Sequence, residues 1–270
     1  MATLRALLQE CRLPALECRM LWQHVLQVSR SWLIAHDDQS IPAAQVANYQ
    51  QLESRRLAGE PMAYILGHRE FMGHGFQVTP AVLIPRPETE LLVETAVQLL
   101  QKRQAASVLD LGTGSGAIAI SIALACPHAE VVATDLSTDA LALARKNAHD
   151  LAASVEFYQG SWYQALPSGK VFDLIVSNPP YIPKDDPHLV QGDLRFEPAL
   201  ALCDGHDGLN AYREIIAGAP GYLSPGGSLY VEHGWDQAGP VCGLLLQVGF
   251  SEVHSLPDLA GILRVSGGHL

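Results

Sequence analysis

The sequence predicts an α/β fold in which a doubly wound, mostly parallel sheet follows a small helical domain. Short apolar segments alternate with helical segments after residue 105, and this alternation is typical of a parallel sheet covered on both faces. A glycine-rich turn joins the first strand and helix of that region. Leucines recur at three- and four-residue spacing in the N-terminal stretch, which indicates amphipathic helices. The seven predicted strands are Val108–Leu111, Val131–Thr134, Val155–Gln159, Phe172–Ser177, Ser228–His233, Ser251–Ser255 and Ile262–Val265.

Three parts are expected along the chain. Residues 1–60 show helical spacing with breaks at Pro14 and ahead of Pro42, and they predict a small helical domain. Residues 61–87 change to glycine, aromatic and β-branched side chains, which predicts a β-hairpin that links two domains. Residues 88–270 are expected to form the larger domain, and its first element is an amphipathic helix over residues 88–104.

The charge distribution argues against a nucleic-acid partner. The 270 residues carry a formal net charge of −11, and residues 1–75 contribute none of it because they hold seven basic and seven acidic side chains. A protein that holds a phosphate backbone needs a basic face. Neither part of the chain offers one, so no stable nucleic-acid complex is expected.

Cysteine usage and hydropathy indicate a protein of a reducing compartment that does not enter a membrane. Five scattered cysteines without a C-x-x-C pair favour free thiols over a zinc or redox site, so no metal is expected. Charged side chains interrupt the N-terminal stretch where a signal peptide is apolar. The longest uncharged stretch contains a glycine-rich turn and is too short in its helical part to span a bilayer. A cytoplasmic, monomeric protein is expected.

The glycine-rich turn and a later aspartate predict an adenosine-type site. The turn places glycines where a backbone bends sharply and a ligand approaches closely. Asp135 ends the next predicted strand, and a carboxylate there can accept hydrogen bonds from both ribose hydroxyls, each contributing roughly 1.5–3 kcal/mol. The pattern leaves open whether the ligand is NAD or S-adenosylmethionine. The turn consists of Gly112, Thr113, Gly114, Ser115 and Gly116.

An Asn-Pro-Pro-Tyr sequence from Asn178 to Tyr181 follows the apolar strand that ends at Ser177. Two prolines cannot continue a β-ladder, so the chain leaves the sheet at its carboxyl edge, where open α/β sheets bind ligands. The Asn178 side-chain oxygen and the Pro179 carbonyl are expected to accept hydrogen bonds from one planar NH₂ group, on which Tyr181 would stack for ~0.5–1.5 kcal/mol. Asn178 is neutral and is not expected to act as a base. Catalysis by positioning is therefore predicted, which can supply up to ~7–11 kcal/mol.

In this order, the glycine turn, Asp135 and the Asn-Pro-Pro-Tyr sequence resemble amino methyltransferases that act on planar nitrogen. With further segments, nearly the whole chain resembles the HemK/PrmC family, which methylates the glutamine of the Gly-Gly-Gln motif in class I peptide chain release factors. The further segments are Pro61-x-x-Tyr64-Ile65-x-Gly67, Phe71-x-Gly73, Leu83-Ile84-Pro85-Arg86-Pro87-Glu88-Thr89-Glu90, Arg195-Phe196-Glu197-Pro198 and Glu232-His233-Gly234.

The resemblance implies a fold, a cofactor and a set of site residues. The fold is the seven-stranded class I methyltransferase sheet, and the helical domain of residues 1–60 docks the protein substrate. The cofactor is S-adenosyl-L-methionine, which leaves as S-adenosyl-L-homocysteine. The glycine turn holds its methionine end, Asp135 its ribose and Trp162 its adenine. The substrate amide is bound by Asn178, Pro179, Pro180 and Tyr181; Asn178 also touches the cofactor, and Asn178, Pro179 and Tyr181 form the catalytic set.

Several alternatives stay open or are disfavoured. A glutamine methyltransferase of a ribosomal protein uses the same chemistry and stays open. An N6-adenine DNA methyltransferase should carry a basic recognition region, which is absent. A nicotinamide dehydrogenase has no use for the Asn-Pro-Pro-Tyr sequence, and a cofactor sensor without turnover would not keep it. A contact of Ser161 with the adenine is left open, and Arg86 and Glu88 either orient substrate or tie the hairpin to the core.

Overall fold

Nine β-strands and eleven α-helices form within residues 2–101, 103 and 105–270, the part of the chain that this computed structural model describes. The chain divides into two compact units, Met1–His68 and Arg69–Leu270. Within the described residues, no helix combines the length and apolar character that crossing a membrane requires.

Five short helices build the first unit. They are α1 (Leu4–Gln9), α2 (Ala15–Leu26), α3 (Arg30–Ala35), α4 (Ala43–Leu57) and α5 (Met62–Leu66). The Thr3 hydroxyl caps α1 by accepting a hydrogen bond from Ala6 N, as N-cap hydroxyls do. The leucine stripes surround a buried pair, Trp22 and Tyr49, whose stacked rings have centroids 4.2 Å apart. The helices that leucine spacing predicts over residues 1–60 are therefore present.

The segment predicted as a hairpin over residues 61–87 is a hairpin only in part. Strands β1 (His68–Phe71) and β2 (His74–Gln77) form a two-stranded sheet, but Met62–Leu66 forms the helix α5. Pro61, with φ −56°, precedes this helix and its fixed φ suits a helix start. The helical turn buries Ile65 in the core of the first unit. This burial outweighs the β preference of the Tyr-Ile pair.

A seven-stranded sheet forms the centre of the second unit. Its strands are β3 (Ala106–Leu111), β4 (Ala129–Asp135), β5 (Val155–Gln159), β6 (Phe172–Ser177), β7 (Leu223–Glu232), β8 (Ser251–Pro257) and β9 (Leu263–His269). Their order is β5-β4-β3-β6-β7-β9-β8. Strands β3 to β7 run parallel, and β9 is antiparallel to β7 and β8. The predicted α/β class with a mostly parallel seven-stranded sheet is confirmed.

Helices cover both faces of this sheet. They are α6 (Glu90–Leu100), α7 (Ala117–Ala125), α8 (Thr138–Asp150), α9 (Ala199–Leu202), α10 (Asn210–Gly218) and α11 (Ala238–Val248). One apolar core includes side chains of α6, α7 and α8, and the other includes side chains of α10 and α11. Helix α6 starts two residues after the predicted helix start, because a 3₁₀ turn, Pro87–Thr89, precedes it. Its predicted end includes Lys102 and Gln104, which lie outside the described residues.

The last strand is longer than its sequence pattern indicates. A strand is predicted over Ile262–Val265, whereas β9 extends through Gly267 to His269. Glycine is depleted in strands, which hides this extension from a propensity argument. The structure needs a glycine here, because a Cβ on Gly267 would lie 2.3 Å from Cδ1 of Tyr230 on the neighbouring strand β7.

The strand order places a topological switch point between β3 and β6. The chain adds β4 and β5 on one side of β3, and then β6 and β7 on the other. Leu111 at the end of β3 is in register with Ser177 at the end of β6. The glycine turn and the Asn-Pro-Pro-Tyr sequence therefore leave the sheet side by side, at the position where open α/β sheets bind ligands.

Candidate active site

A cavity of about 340 Å³ opens at this switch point, which is within the size range of ligand pockets, about 300–1,000 Å³. Among the described residues, Thr113, Ser115, Gly116, Pro179 and Tyr181 do not line it, although the sequence predicts them as site residues. The predicted site residues that do line it are Gly112, Gly114, Asp135, Trp162, Asn178 and Pro180, together with Ser161. The structure thus brings residues from both sequence motifs to one cavity.

The glycine turn is held against the end of strand β4. Gly112 N and Thr113 N both donate to Thr134 O, at 2.9 and 3.0 Å. Gly112 has φ +74°, and a Cβ at this position would lie 3.3 Å from Cζ3 of Trp162. Only glycine meets both demands without strain. The turn therefore brings its backbone, instead of a side chain, to the cavity wall.

A buried carboxylate lies at the end of β3, directly before the glycine turn. Asp110 Oδ2 accepts a hydrogen bond from the Thr113 hydroxyl at 2.6 Å, whereas Oδ1 has no partner among the described residues. Burial raises the pKa of Asp110 to about 7. A buried acceptor without a partner is costly, and Asp110 lies behind the glycine turn without lining the cavity.

Asp135 connects the glycine turn to helix α8. Its Oδ2 accepts from Gly114 N and its Oδ1 from Ser137 N, both at 2.8 Å. Burial raises the pKa of this carboxyl, although these backbone contacts act to lower it. Each carboxylate oxygen has a second lone pair, so the backbone bonds leave acceptor capacity for two ribose hydroxyls in the cavity that Asp135 lines.

The indole of Trp162 is fixed by Glu214, which motif reasoning missed. Trp162 Nε1 donates to Glu214 Oε2 at 3.0 Å, and Glu214 Oε1 accepts from Asn210 Nδ2 at 2.9 Å. Trp162 has φ +45°, a conformation uncommon outside glycine. Glu214 and Ser161 line the same cavity. Gly160 and Ser161 carry no carboxylate, so Glu214 supplies one on this side of the cavity. It lies 52 residues from Trp162, so no local pattern links the two.

Asn178 is oriented by a hydroxyl from the turn before α6. Asn178 Nδ2 donates to Thr89 Oγ1 at 3.1 Å, and Thr89 is buried. The Oδ1 atom of Asn178 has no hydrogen-bond partner among the described residues, while the side chain lines the cavity. The arrangement offers a free acceptor to a ligand NH₂ group. Thr89 belongs to the segment of the family resemblance, but the sequence assigned it no role.

Tyr181 anchors the backbone of the Asn-Pro-Pro-Tyr sequence. Tyr181 packs against the apolar core of the second sheet face, and burial raises the pKa of its hydroxyl to about 12. Its carbonyl oxygen accepts from Gln237 Nε2 at 3.0 Å, and the same amide donates to Gly208 O at 3.0 Å. The stacking of Tyr181 on a substrate amide stays a prediction.

The structure resolves the role of Arg86, which the sequence left open. Arg86 forms an ion pair with Glu197, whose side chain is buried, and Glu197 Oε2 also accepts from Ile84 N at 3.3 Å. Burial raises the pKa of Glu197. Arg86 therefore has the structural role, because it ties the segment around residues 84–86 to the segment around residue 197.

The seven-stranded sheet with its antiparallel strand β9, together with the glycine turn, Asp135 and the Asn-Pro-Pro-Tyr sequence at one cavity, is that of an S-adenosylmethionine-dependent methyltransferase. Residues 87–191 match the methyltransferase small domain, and residues 1–67 match the PrmC N-terminal domain. A release factor glutamine methyltransferase of Bordetella pertussis is 61% identical over 270 residues, which cover 100% of both chains. The protein of the same name from Burkholderia pseudomallei is 51% identical over 275 residues, covering 100% of this chain and 96% of that one. The chain belongs to the release factor glutamine methyltransferase family.

A solved structure of lower identity supports the fold alone. A methyltransferase from Pyrococcus furiosus superposes with a TM-score of 0.55 at 18% identity, over 82% of this chain and 98% of that chain. At this identity the match carries no information on the substrate. The substrate assignment therefore depends on the chemistry of the site together with the family.

Proposed function

We propose that this chain methylates the side-chain amide nitrogen (N5) of the glutamine in the Gly-Gly-Gln motif of class I peptide chain release factors. The observation that carries the proposal is the Asn178 side chain, whose Nδ2 is tied to Thr89 while Oδ1 remains free at the cavity. The named relatives support the same substrate. S-adenosyl-L-methionine, when bound, supplies an activated methyl group and leaves as S-adenosyl-L-homocysteine.

The chemistry needs positioning more than it needs a base. An amide nitrogen is a poor nucleophile because its lone pair is delocalised into the carbonyl group. Asn178 Oδ1 and the Pro179 carbonyl would accept the two hydrogens of the substrate NH₂ group, and this fixes the direction of the lone pair. Pro180 lines the cavity beside them. Orientation of this kind can contribute up to ~7–11 kcal/mol, and the proton of the product leaves to solvent.

The cofactor contacts follow from the cavity. The glycine turn with Asp110 behind it would hold the cationic methionine end, and Asp135 would accept hydrogen bonds from the ribose. Trp162, held by Glu214, would flank the adenine. The backbone of Gly112 and Gly114 at the cavity wall leaves space that a Cβ would fill.

The affinity for S-adenosylhomocysteine tests the Trp162 support. We expect Glu214→Ala to raise its Kd about three- to tenfold, because the loss of one hydrogen bond to a charged group, ~1 kcal/mol, releases the indole. Titration calorimetry measures this change. The exposed Glu130, on β4 and outside the cavity lining, gives the control Glu130→Ala. Equal affinity in all three proteins would show that Trp162 needs no support from Glu214.

The helical part of the chain and the cellular setting complete the proposal. Residues 1–60 would dock the release factor, residues 61–87 would link the two domains, and residues 88–270 would carry out the transfer. All five cysteines are free thiols, which supports a cytoplasmic site of action; the chain would act as a monomer. The net charge of −11 supports a protein substrate over a stable nucleic-acid complex.

Transfer of a labelled methyl group tests the proposal directly. The purified chain is incubated with methyl-labelled S-adenosylmethionine and a purified class I release factor, and the labelled residue is mapped by mass spectrometry. Label on the Gly-Gly-Gln glutamine, and its loss when that glutamine is replaced by alanine, is the expected result. Parallel reactions contain ribosomal proteins or adenine-containing DNA. Label in either of these, without label in the release factor, would overturn the substrate assignment.

A further inference from the structure

The buried carboxylate of Glu232 lies next to Asn178, on the neighbouring strand β7. Ser177 is in register with Val231, so that Glu232 at the end of β7 is beside Asn178 at the end of β6. Glu232 is 2% exposed, and its Oε2 has no hydrogen-bond partner among the described residues. A buried carboxylate without a complete set of partners costs stability, so a structural role alone does not account for it.

The Glu232 carboxyl lies near two groups of the active site. The Thr89 hydroxyl and the Asn178 amide both act to lower its pKa, as nearby hydrogen-bond donors do. Thr89 Oγ1 also accepts from Asn178 Nδ2 at 3.1 Å. A hydroxyl that accepts one hydrogen bond still has its own hydrogen to donate. Thr89 therefore keeps a hydrogen that the neighbouring Glu232 carboxylate can accept.

Among the described residues, the cation that acts on Glu232 is Arg264, and it is already paired with Asp258. Arg264 on β9 lowers the pKa of Glu232 only in part, since its Nε donates to Asp258 Oδ2 at 3.1 Å. Glu88 raises that pKa, but burial is the largest cause, and together they bring it to about 7. The other groups that face Glu232 are the hydroxyls of Tyr181 and Tyr212.

We infer that Glu232 is a positioning residue, whose carboxylate holds the amino group of Asn178, directly and through Thr89, so that Asn178 Oδ1 faces the substrate amide. The inference rests on the proposed function, because it assumes that Asn178 grips the substrate. An ionised carboxylate only accepts hydrogen bonds, and it therefore selects the orientation in which the NH₂ end of Asn178 points toward it. A bond to a charged acceptor also polarises the amide and strengthens Oδ1 as an acceptor.

Protonation of the Glu232 carboxylate would remove its preference for one orientation of the Asn178 amide. A neutral carboxyl has its own O–H donor, and then the carbonyl end of Asn178 can also face it. Turnover is therefore expected to rise with pH as Glu232 ionises near neutrality. Asp110 is the other buried carboxyl whose pKa is raised to about 7, but it lies behind the glycine turn, where its titration would change cofactor affinity.

The test compares kcat across pH for the full-length chain with a release factor substrate. We expect Glu232→Gln, which mimics the neutral carboxyl at the same size, to lower kcat about tenfold or more at a pH of about 8.5 and to flatten its rise with pH. The KM for the release factor and the Kd of S-adenosylhomocysteine are expected to change less than about threefold. The control is Glu130→Gln, a Glu-to-Gln change on an exposed strand position.

Thr89 provides an independent test. Thr89→Val keeps the side-chain shape without the hydroxyl and is expected to lower kcat, whereas Thr89→Ser is expected to restore it. The inference is overturned if Glu232→Gln keeps the wild-type pH profile, or if Thr89→Val retains kcat within about twofold. These outcomes require that the wild type methylates the release factor. If it does not, the proposed function fails and this inference falls with it.

Discussion

Asn178→Ala is expected to lower kcat at least about 100-fold, which corresponds to ~2.8 kcal/mol of lost transition-state stabilisation. The reason is geometric, because the alanine removes the free Oδ1 acceptor that the cavity presents to the substrate NH₂ group. Cofactor affinity is expected to stay within about tenfold, ~1.4 kcal/mol. Single-turnover kinetics measures the transfer step, and calorimetry with S-adenosylhomocysteine measures binding.

Two further variants distinguish the loss of substrate positioning by Asn178 from a general loss of folding or stability. Asn178→Asp keeps the shape but replaces the amino group, which Thr89 binds at 3.1 Å, with a second acceptor beside Glu232. It is expected to be nearly as slow as the alanine variant. Gln247→Ala removes an exposed amide from helix α11 and serves as the control. Normal turnover in Asn178→Ala would contradict the assignment of this residue.

Local patterns were sufficient for most of the strands that build the sheet, although β7 and β9 are longer than predicted. Apolar strands such as Phe172–Ser177 have the same bounds in sequence and structure, because each is a buried run of strand-forming residues bounded by polar or turn residues. The glycine turn and Asn178 were predicted at one edge, and the register of Leu111 with Ser177 places them together. The two lie close together because the carboxyl ends of neighbouring parallel strands meet at the same edge of the sheet, whatever their side chains are.

Residues whose role depends on distant contacts were not predictable in this way. Thr89 lies 89 positions from Asn178, and Glu214 lies 52 from Trp162, so neither pair produces a pattern within one element. Tyr181 has a contact that its motif did not predict. Its ring packs in part against the apolar core, and its stacking on a substrate stays a prediction.

Burial raises the pKa values of several carboxyls at or near the described site. They include Asp110, Asp135 and Glu232, and burial is the main cause for each. A carboxyl whose pKa is higher in the folded than in the unfolded state costs stability as the pH rises between those two values. A cationic sulfonium cofactor would offset this cost on binding.

Asp135→Ala is expected to raise the Kd of S-adenosylhomocysteine at least about 100-fold, ~2.8 kcal/mol. Two contributions are lost together, namely the acceptors for the ribose hydroxyls and the bonds at 2.8 Å to Gly114 N and Ser137 N that hold the glycine turn. Asp135→Asn retains one acceptor oxygen and is expected to raise this Kd less than Asp135→Ala does. Asp139→Ala, which removes an exposed carboxylate from the first turn of α8, is the control. Calorimetry measures each Kd.

A ligand without the ribose 2′-hydroxyl separates these two contributions. If Asp135 binds the ribose, the 2′-deoxy analogue of S-adenosylhomocysteine binds the wild type more weakly, and Asp135→Ala discriminates less between the two ligands. The interaction energy of this double cycle isolates the ribose contact from the support of the turn. Because burial raises the pKa of Asp135, affinity is expected to increase as the pH rises and the carboxyl ionises. Equal discrimination by both proteins would assign Asp135 to the glycine turn alone.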